Sequence, residues 1–220
     1  MALLMNKYLK ESNIIVIKNF LPESLHTQVK EIFESKSSQF QKLIWKKNYS
    51  QNKLYQNEEA IVYFLEDNTN EILNILKPKV NKIADLIIST FNLKASSLNY
   101  NLPSILWKVF KSQYFPPHLD QFDHQGHKFN KVIVATYNII HPSNFLKGGE
   151  FCVWDYYIDQ NKELISNEFP NSYGVVKRQT NSLVIMDIAK LHQIKPISPI
   201  CSQKTEQIFS KSFYFRLNVE

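Results

Sequence analysis

The sequence predicts an α+β chain whose core is mainly β: a sandwich or barrel of short strands with N-terminal helices packed on one side. Two observations carry this. In two stretches, Leu25 to Phe33 and Ile72 to Ile87, apolar side chains recur at spacings of three and four, the period of a helix face. After about residue 95 that spacing disappears, and short runs rich in β-branched and aromatic residues follow one another between turn residues. With 220 residues, no internal repeat and no linker, one domain (1–220) accounts for the chain. Residues 1–95 supply a first strand and supporting helices, and residues 96–220 supply the strand core.

The run from Asn13 to Phe20 reads as a strand. Leu21-Pro22-Glu23-Ser24 then breaks it and starts a helix, because Pro and an acidic residue suit a first helical turn. Leu25, Val29, Ile32 and Phe33 give that helix one apolar face. Residues 36–60 are polar and mixed, with Trp45 and Tyr55 isolated, and read as a loop or lid. A second helical pattern starts at Asp67, with Thr69 as candidate cap. Its stripe runs Ile72, Leu73, Leu76, Val80, Ile83, Leu86 and Ile87. Pro78 inside the stripe predicts a kink or two abutting helices. Strands are expected at 104–111, 131–140, 150–158, 173–177, 182–188, 192–197 and 207–219.

Composition narrows the function classes. Hydrophobic residues make up 44% and charged residues 21%, which excludes a disordered chain, and 4 glycines with 9 prolines exclude collagen-like and low-complexity ones. No apolar run approaches the ~18 residues of a membrane span. The start lacks the order of a secretory signal, so a cytoplasmic protein is expected. Cys152 and Cys201 make neither a disulfide scaffold nor a zinc spacing. The net charge of +6 comes from lysines dispersed along the chain, the pattern of a solvated surface. No interleaving of aromatic and basic residues supports nucleic-acid binding.

The segment Gln113-Tyr114-Phe115-Pro116-Pro117-His118-Leu119-Asp120 is the most informative. Residues i and i+2 of a strand point the same way, so His118 and Asp120 can grip one ion. The best third ligand is His192, which opens a predicted strand in Lys190-Leu191-His192-Gln193-Ile194-Lys195-Pro196-Ile197. Two histidines and one carboxylate on one face form the triad of non-haem Fe(II) sites. Such a site keeps three open positions. Two suit a chelating 2-oxoacid and one suits O₂. A single carboxylate leaves a ferrous ion partly un-neutralised and attractive to an anion.

The surrounding motifs follow a recognisable order. Phe115-Pro116-Pro117-His118-Leu119-Asp120 comes first. Tyr137-Asn138 follows on a strand, then the strand Gly148-Gly149-Glu150-Phe151, the buried strand Ser182 to Asp187, and His192 before a hydrophobic residue and Pro196. This resembles the Fe(II)/2-oxoglutarate-dependent dioxygenases, in their prolyl 4-hydroxylase-like branch. The resemblance runs from about residue 104 to 219, and the strand-then-helix start from Ile14 to Phe33 also fits. Residues 36–66 lie outside it.

The resemblance implies a double-stranded β-helix (a jelly-roll or cupin-like barrel) over 96–220, with Fe(II) held by His118, Asp120 and His192. It implies 2-oxoglutarate and O₂ as cosubstrates, with ascorbate as a candidate stimulant. It also implies hydroxylation of an unactivated C–H bond, since Asp120 stands where related halogenases have a small residue. The substrate is then a protein side chain, prolyl-like, or a free amino acid or small metabolite. Two other readings stay open: a catalytically inactive barrel that binds a ligand or partner, and a nucleic-acid dealkylase of the same superfamily.

In that family a basic residue on the last core strand anchors the far carboxylate of 2-oxoglutarate. Alternation puts Lys211 with Phe209, Phe213 and Phe215, and Arg216 with Ser210, Ser212 and Tyr214. The small polar face favours Arg216, while position along the strand favours Lys211. Lys204 is a third candidate. Tyr114 matches a tyrosine that hydrogen-bonds the cosubstrate in similar proteins.

Plainer readings apply elsewhere. His124, His127 and Asp123 read as a polar loop after the ligand strand, and His141 as part of a turn before Pro142. His26 reads as a partly exposed helix residue. Glu150 and Asp155 read as carboxylates at a strand edge, Trp107 and Trp154 as wall aromatics, Cys152 as a small buried hydrophobe and Arg178 as a loop cation.

Overall fold

The structure is a computed structural model, and it describes residues 14–46, 59–93, 97–109, 115–118, 132–140, 146–147, 150–154, 173–176, 179–187, 191–195, 198–199 and 210–218. The chain runs β1 (Ile14–Lys18), α1 (Glu23–Ser35), a 3-10 turn (Ser37–Gln39), β2 (Gln41–Lys46), β3 (Glu59–Asp67), α2 (Glu71–Asn81), α3 (Ala84–Thr90) and β4 (Asn99–Val109). It continues β5 (Phe115–His118), β6 (Val132–Ile140), β7 (Leu146–Lys147), β8 (Phe151–Trp154), β9 (Tyr173–Val176), β10 (Ser182–Asp187), β11 (Leu191–Ile194), β12 (Ser198–Pro199) and β13 (Ser210–Asn218).

Seven strands form one antiparallel sheet in the order β1-β10-β6-β13-β4-β3-β2, and four form a second in the order β5-β11-β8-β9. Strands β7 and β12 make a short separate ladder. Among the described residues neither sheet closes on itself, so the architecture seen is two open antiparallel sheets with helices, not a sealed barrel.

The centre of the large sheet, at β6 and β10, is buried on both faces. On β6, Ile133, Ala135, Tyr137 and Ile139 join a core with Val29 and Phe33 of α1, Ile72, Leu76 and Val80 of α2 and Ile87 of α3. Val134, one residue out of phase, joins Val184 and Met186 of β10 in a second core. Phe151, Val153 and Val176 of the small sheet complete that core, so it lies between the sheets. Burial on both faces explains why β6 reads as an almost unbroken apolar run instead of alternating with polar residues. Each fully buried Phe or Ile contributes roughly 1.5–3 kcal/mol.

Several expectations are corrected. Residues 36–60 are not simply a loop: the 3-10 turn, β2 and the start of β3 occupy the described part. The pairing of β2 on β3 explains this, since Leu43, Ile44 and Trp45 oppose Val62, Ile61 and Ala60. Residues 47–58 lie outside the description. Thr69 does not cap α2. Its hydroxyl bonds Asp67 Oδ1 at 2.6 Å, and Asn70 takes the cap position with a left-handed φ of 61°. Pro78 sits in the last turns of α2 and α3 abuts after Ile83, the second of the two alternatives drawn from the sequence. Among the described residues no helix is long and apolar enough to cross a membrane.

Candidate functional site

The small sheet brings two of the sequence-derived ligand positions together. On the β11–β5 ladder His192 is the direct partner of His118. Opposed positions of an antiparallel pair carry the closest side chains. Strand β5 is the sheet edge, and its register shifts between the His192 and Ile194 pairings. Pro116 and Pro117 cause this, because neither has an N–H to give to a ladder, and edges and bulges are where a sheet tolerates proline.

On its other side β11 pairs with β8: His192 opposes Val153 and Ile194 opposes Phe151. His192 is 3% exposed. Its ring lies on that of Phe151, with centroids 5.1 Å apart and planes 15° apart. Phe151, Val153 and the partly buried Ile194 all belong to the core between the sheets, so His192 shares the apolar space there. The side chain of His118, and the whole of Asp120, Tyr114 and Lys204, fall outside the described residues, as do His124, His127, Asp123, His141, Asp155 and Arg178. Among the described side chains, no three metal-ligating groups converge.

The two basic residues of β13 part company. Lys211 is buried and its Nζ donates to Glu34 of α1, with the Phe33 ring beneath it at 5.3 Å. It belongs to the helix-covered face, with Phe213 and Phe215, and burial pushes its pKa down. Lys108, its partner on β4, is held the same way by the Ser37 carbonyl at 3.1 Å. Arg216 opposes Val134, a residue of the inter-sheet core, so it shares the face that looks toward the small sheet. Its guanidinium lies 6.0 Å from the ring of Tyr214, which packs on that same core.

Other residues depart from their plain readings or keep to them. His26 is not partly exposed but 2% exposed. The Tyr137 hydroxyl donates to Asn181 Oδ1 at 2.8 Å and accepts from His26 Nδ1 at 2.7 Å, and this polar chain lets an imidazole enter the core. Cys152 is a fully buried free thiol whose pKa burial pushes up. Trp107 is a half-buried aromatic beside Phe64, with centroids 6.0 Å apart. Glu150 is half-buried, and its carbonyl accepts the Lys195 N–H at 3.0 Å. The sequence reading missed Phe151. The offset that lays it against His192 is set by pairing between distant strands.

No family model matches the sequence, and no curated protein matches it either. Solved structures do match in fold. A Pseudomonas putida prolyl-4-hydroxylase is 10% identical, with 96% of this chain and 95% of that one covered and a TM-score of 0.57. A Trichoplax adhaerens prolyl hydroxylase, solved with a peptide fragment of the hypoxia inducible factor oxygen degradation domain, is 12% identical. There the coverage is 95% and 84% and the TM-score 0.55. The epimerase SnoN, solved with Fe³⁺, alpha ketoglutarate and nogalamycin RO, is 9% identical, with coverage of 96% and 80% and a TM-score of 0.63. The chain thus has the fold of 2-oxoglutarate-dependent Fe(II) oxygenases, with prolyl hydroxylases among its structural neighbours.

Proposed function

We propose that the chain is a single-domain non-haem Fe(II)- and 2-oxoglutarate-dependent dioxygenase that hydroxylates an unactivated C–H bond, with the two sheets as the halves of a double-stranded β-helix. The observation that carries this reading is the direct pairing of His118 with His192 across β5 and β11. Two imidazoles and the carboxylate of Asp120, two residues beyond His118, are a donor set that fits Fe(II). The bound ion would supply oxygen activation, coupled to loss of CO₂ from 2-oxoglutarate. One oxygen atom of O₂ ends in succinate and the other in the new hydroxyl, so no further reductant is needed.

Arg216 is the proposed anchor for the far carboxylate of 2-oxoglutarate. Its support is the face it occupies: the inter-sheet side, where Lys211 is turned to Glu34 and the helices. A guanidinium offers two parallel donors to a carboxylate. Tyr114, four residues before His118, is the proposed second donor to the cosubstrate. His192, enclosed by Phe151 and Val153, is kept from bulk water by the apolar core. The substrate is a protein side chain, as for the hydroxylase that carries a peptide, or a small molecule, as for the epimerase that carries nogalamycin RO.

The test is oxygen-dependent succinate formation from 2-oxoglutarate with Fe(II), offered a peptide library and an amino-acid pool. The parent chain should release succinate and add one oxygen atom to one component. His118→Ala and His192→Ala should do neither. Equal turnover in those variants would refute the assignment.

A further inference from the structure

The stack between Phe151 and His192 has a geometry that a metal ligand needs. The terminal torsion of a histidine is broad, so a buried imidazole can rotate about it. A metal accepts a ring nitrogen only along a narrow line. The usual restraint is a hydrogen bond from the other ring nitrogen to a carboxylate or carbonyl. Here a second restraint is present. The rings are within 15° of parallel with centroids 5.1 Å apart, so the imidazole lies stacked on the phenyl ring and turning it gives up that contact. Phe151 is itself held, being 7% exposed and packed among Val134, Val153, Val176, Val184 and Met186.

We propose that Phe151 is a positioning residue for the metal centre: its ring fixes the plane of His192 and so presents the imidazole to the ion. This rests on the reading of His192 as a ligand. Phe151 belongs to β8 and His192 to β11, so the restraint comes from a different strand from the ligand.

The experiment titrates metal-free protein with Co(II) and follows both affinity and the visible d–d bands of the bound ion. The chains compared are the parent, Phe151→Leu, Phe151→Met, Phe151→Tyr and His192→Ala, each checked for its unfolding midpoint. Leu and Met keep apolar bulk but lose the flat ring, and having both guards against one failing to fold. The expected result is affinity about tenfold weaker in Leu and Met, with altered bands, and restoration by Tyr. That rescue separates ring geometry from core filling. Unchanged affinity and bands in Leu or Met would overturn the role of Phe151 while leaving the centre standing. A parent that binds no Co(II), or a His192→Ala chain that binds as well as the parent, would overturn the ligand assignment and this role with it.

Discussion

Asn181 clasps the backbone of Leu21 from both sides: its Oδ1 accepts the Leu21 N–H at 2.9 Å, and its Nδ2 donates to the Leu21 carbonyl at 2.8 Å. The same Oδ1 takes the Tyr137 hydroxyl. One side chain thus ties the turn before β10 to the start of α1 and to β6. It sits at a φ of 56°, a left-handed value that asparagine tolerates better than other side-chain-bearing residues.

Replacement of Asn181 should therefore act through two separable effects. Asn181→Gly loses the side-chain bonds and keeps the backbone at ease, at an expected cost of about 3 kcal/mol. Asn181→Ala loses the same bonds and adds roughly 1 kcal/mol for the left-handed backbone. Urea unfolding of both variants checks this. Equal stability of the two would show that the backbone conformation carries no cost.

His26 gives the fold a pH dependence. Burial holds its pKa below the ordinary 6.5, the charge of Lys30 adds to this, and Glu23 opposes it. Tyr137 and Asn181 face it with neutral groups, and its Nε2 is buried without a partner. The folded chain therefore binds fewer protons than the unfolded chain just below pH 6.5. The stability His26 contributes is full above that pH and declines as pH falls, until the folded imidazole itself is protonated. Urea midpoints from about pH 7.5 to about pH 5.5 should fall more steeply for the parent than for His26→Gln. Matching slopes would remove His26 from the account.

Lys36 and Asp67 form an enclosed pair at 2.7 Å, with Thr69 and Glu71 completing the shell. Removing Lys36 leaves the Asp67 carboxylate, 1% exposed, without a cation, so Lys36→Met should cost about 3 to 5 kcal/mol. The double change Lys36→Met with Asp67→Leu should recover most of that, because two apolar side chains need no pairing. Denaturant unfolding of Lys36→Met, Asp67→Leu and the double variant forms the cycle. Simple addition of the single costs would argue against coupling.

The faces of β13 give a prediction about the cosubstrate. Arg216→Met should weaken 2-oxoglutarate binding about tenfold or more, the scale of a lost charge-assisted bond. Lys211→Met should leave that binding intact, because Lys211 is engaged with Glu34. Calorimetric titration with the metal loaded distinguishes them. The reverse pattern would make Lys211 the anchor.

Local pattern reported much of this in advance. Alternation along β13 separated Lys211 from Arg216 correctly, since strand faces depend only on local geometry. The apolar stripes of α1 and α2 were legible for the same reason. His26 was misread because its burial depends on Tyr137 and Asn181, 111 residues and more along the chain. Strand β2 was hidden because its polar residues Gln41, Lys42 and Lys46 mask the alternation, as suits the outer strand of a sheet. The stack on His192 needed the β8–β11 register, which no single segment encodes.

The central claim is that His192 belongs to a metal site that also takes 2-oxoglutarate. Its most direct test is an anaerobic titration of the metal-free chain with Fe(II) and then 2-oxoglutarate, following the visible charge-transfer band of the chelate, with His192→Ala alongside. The account predicts a band in the parent and none in the variant. A band of equal strength in His192→Ala, or no band in a parent chain that has bound Fe(II), would contradict it.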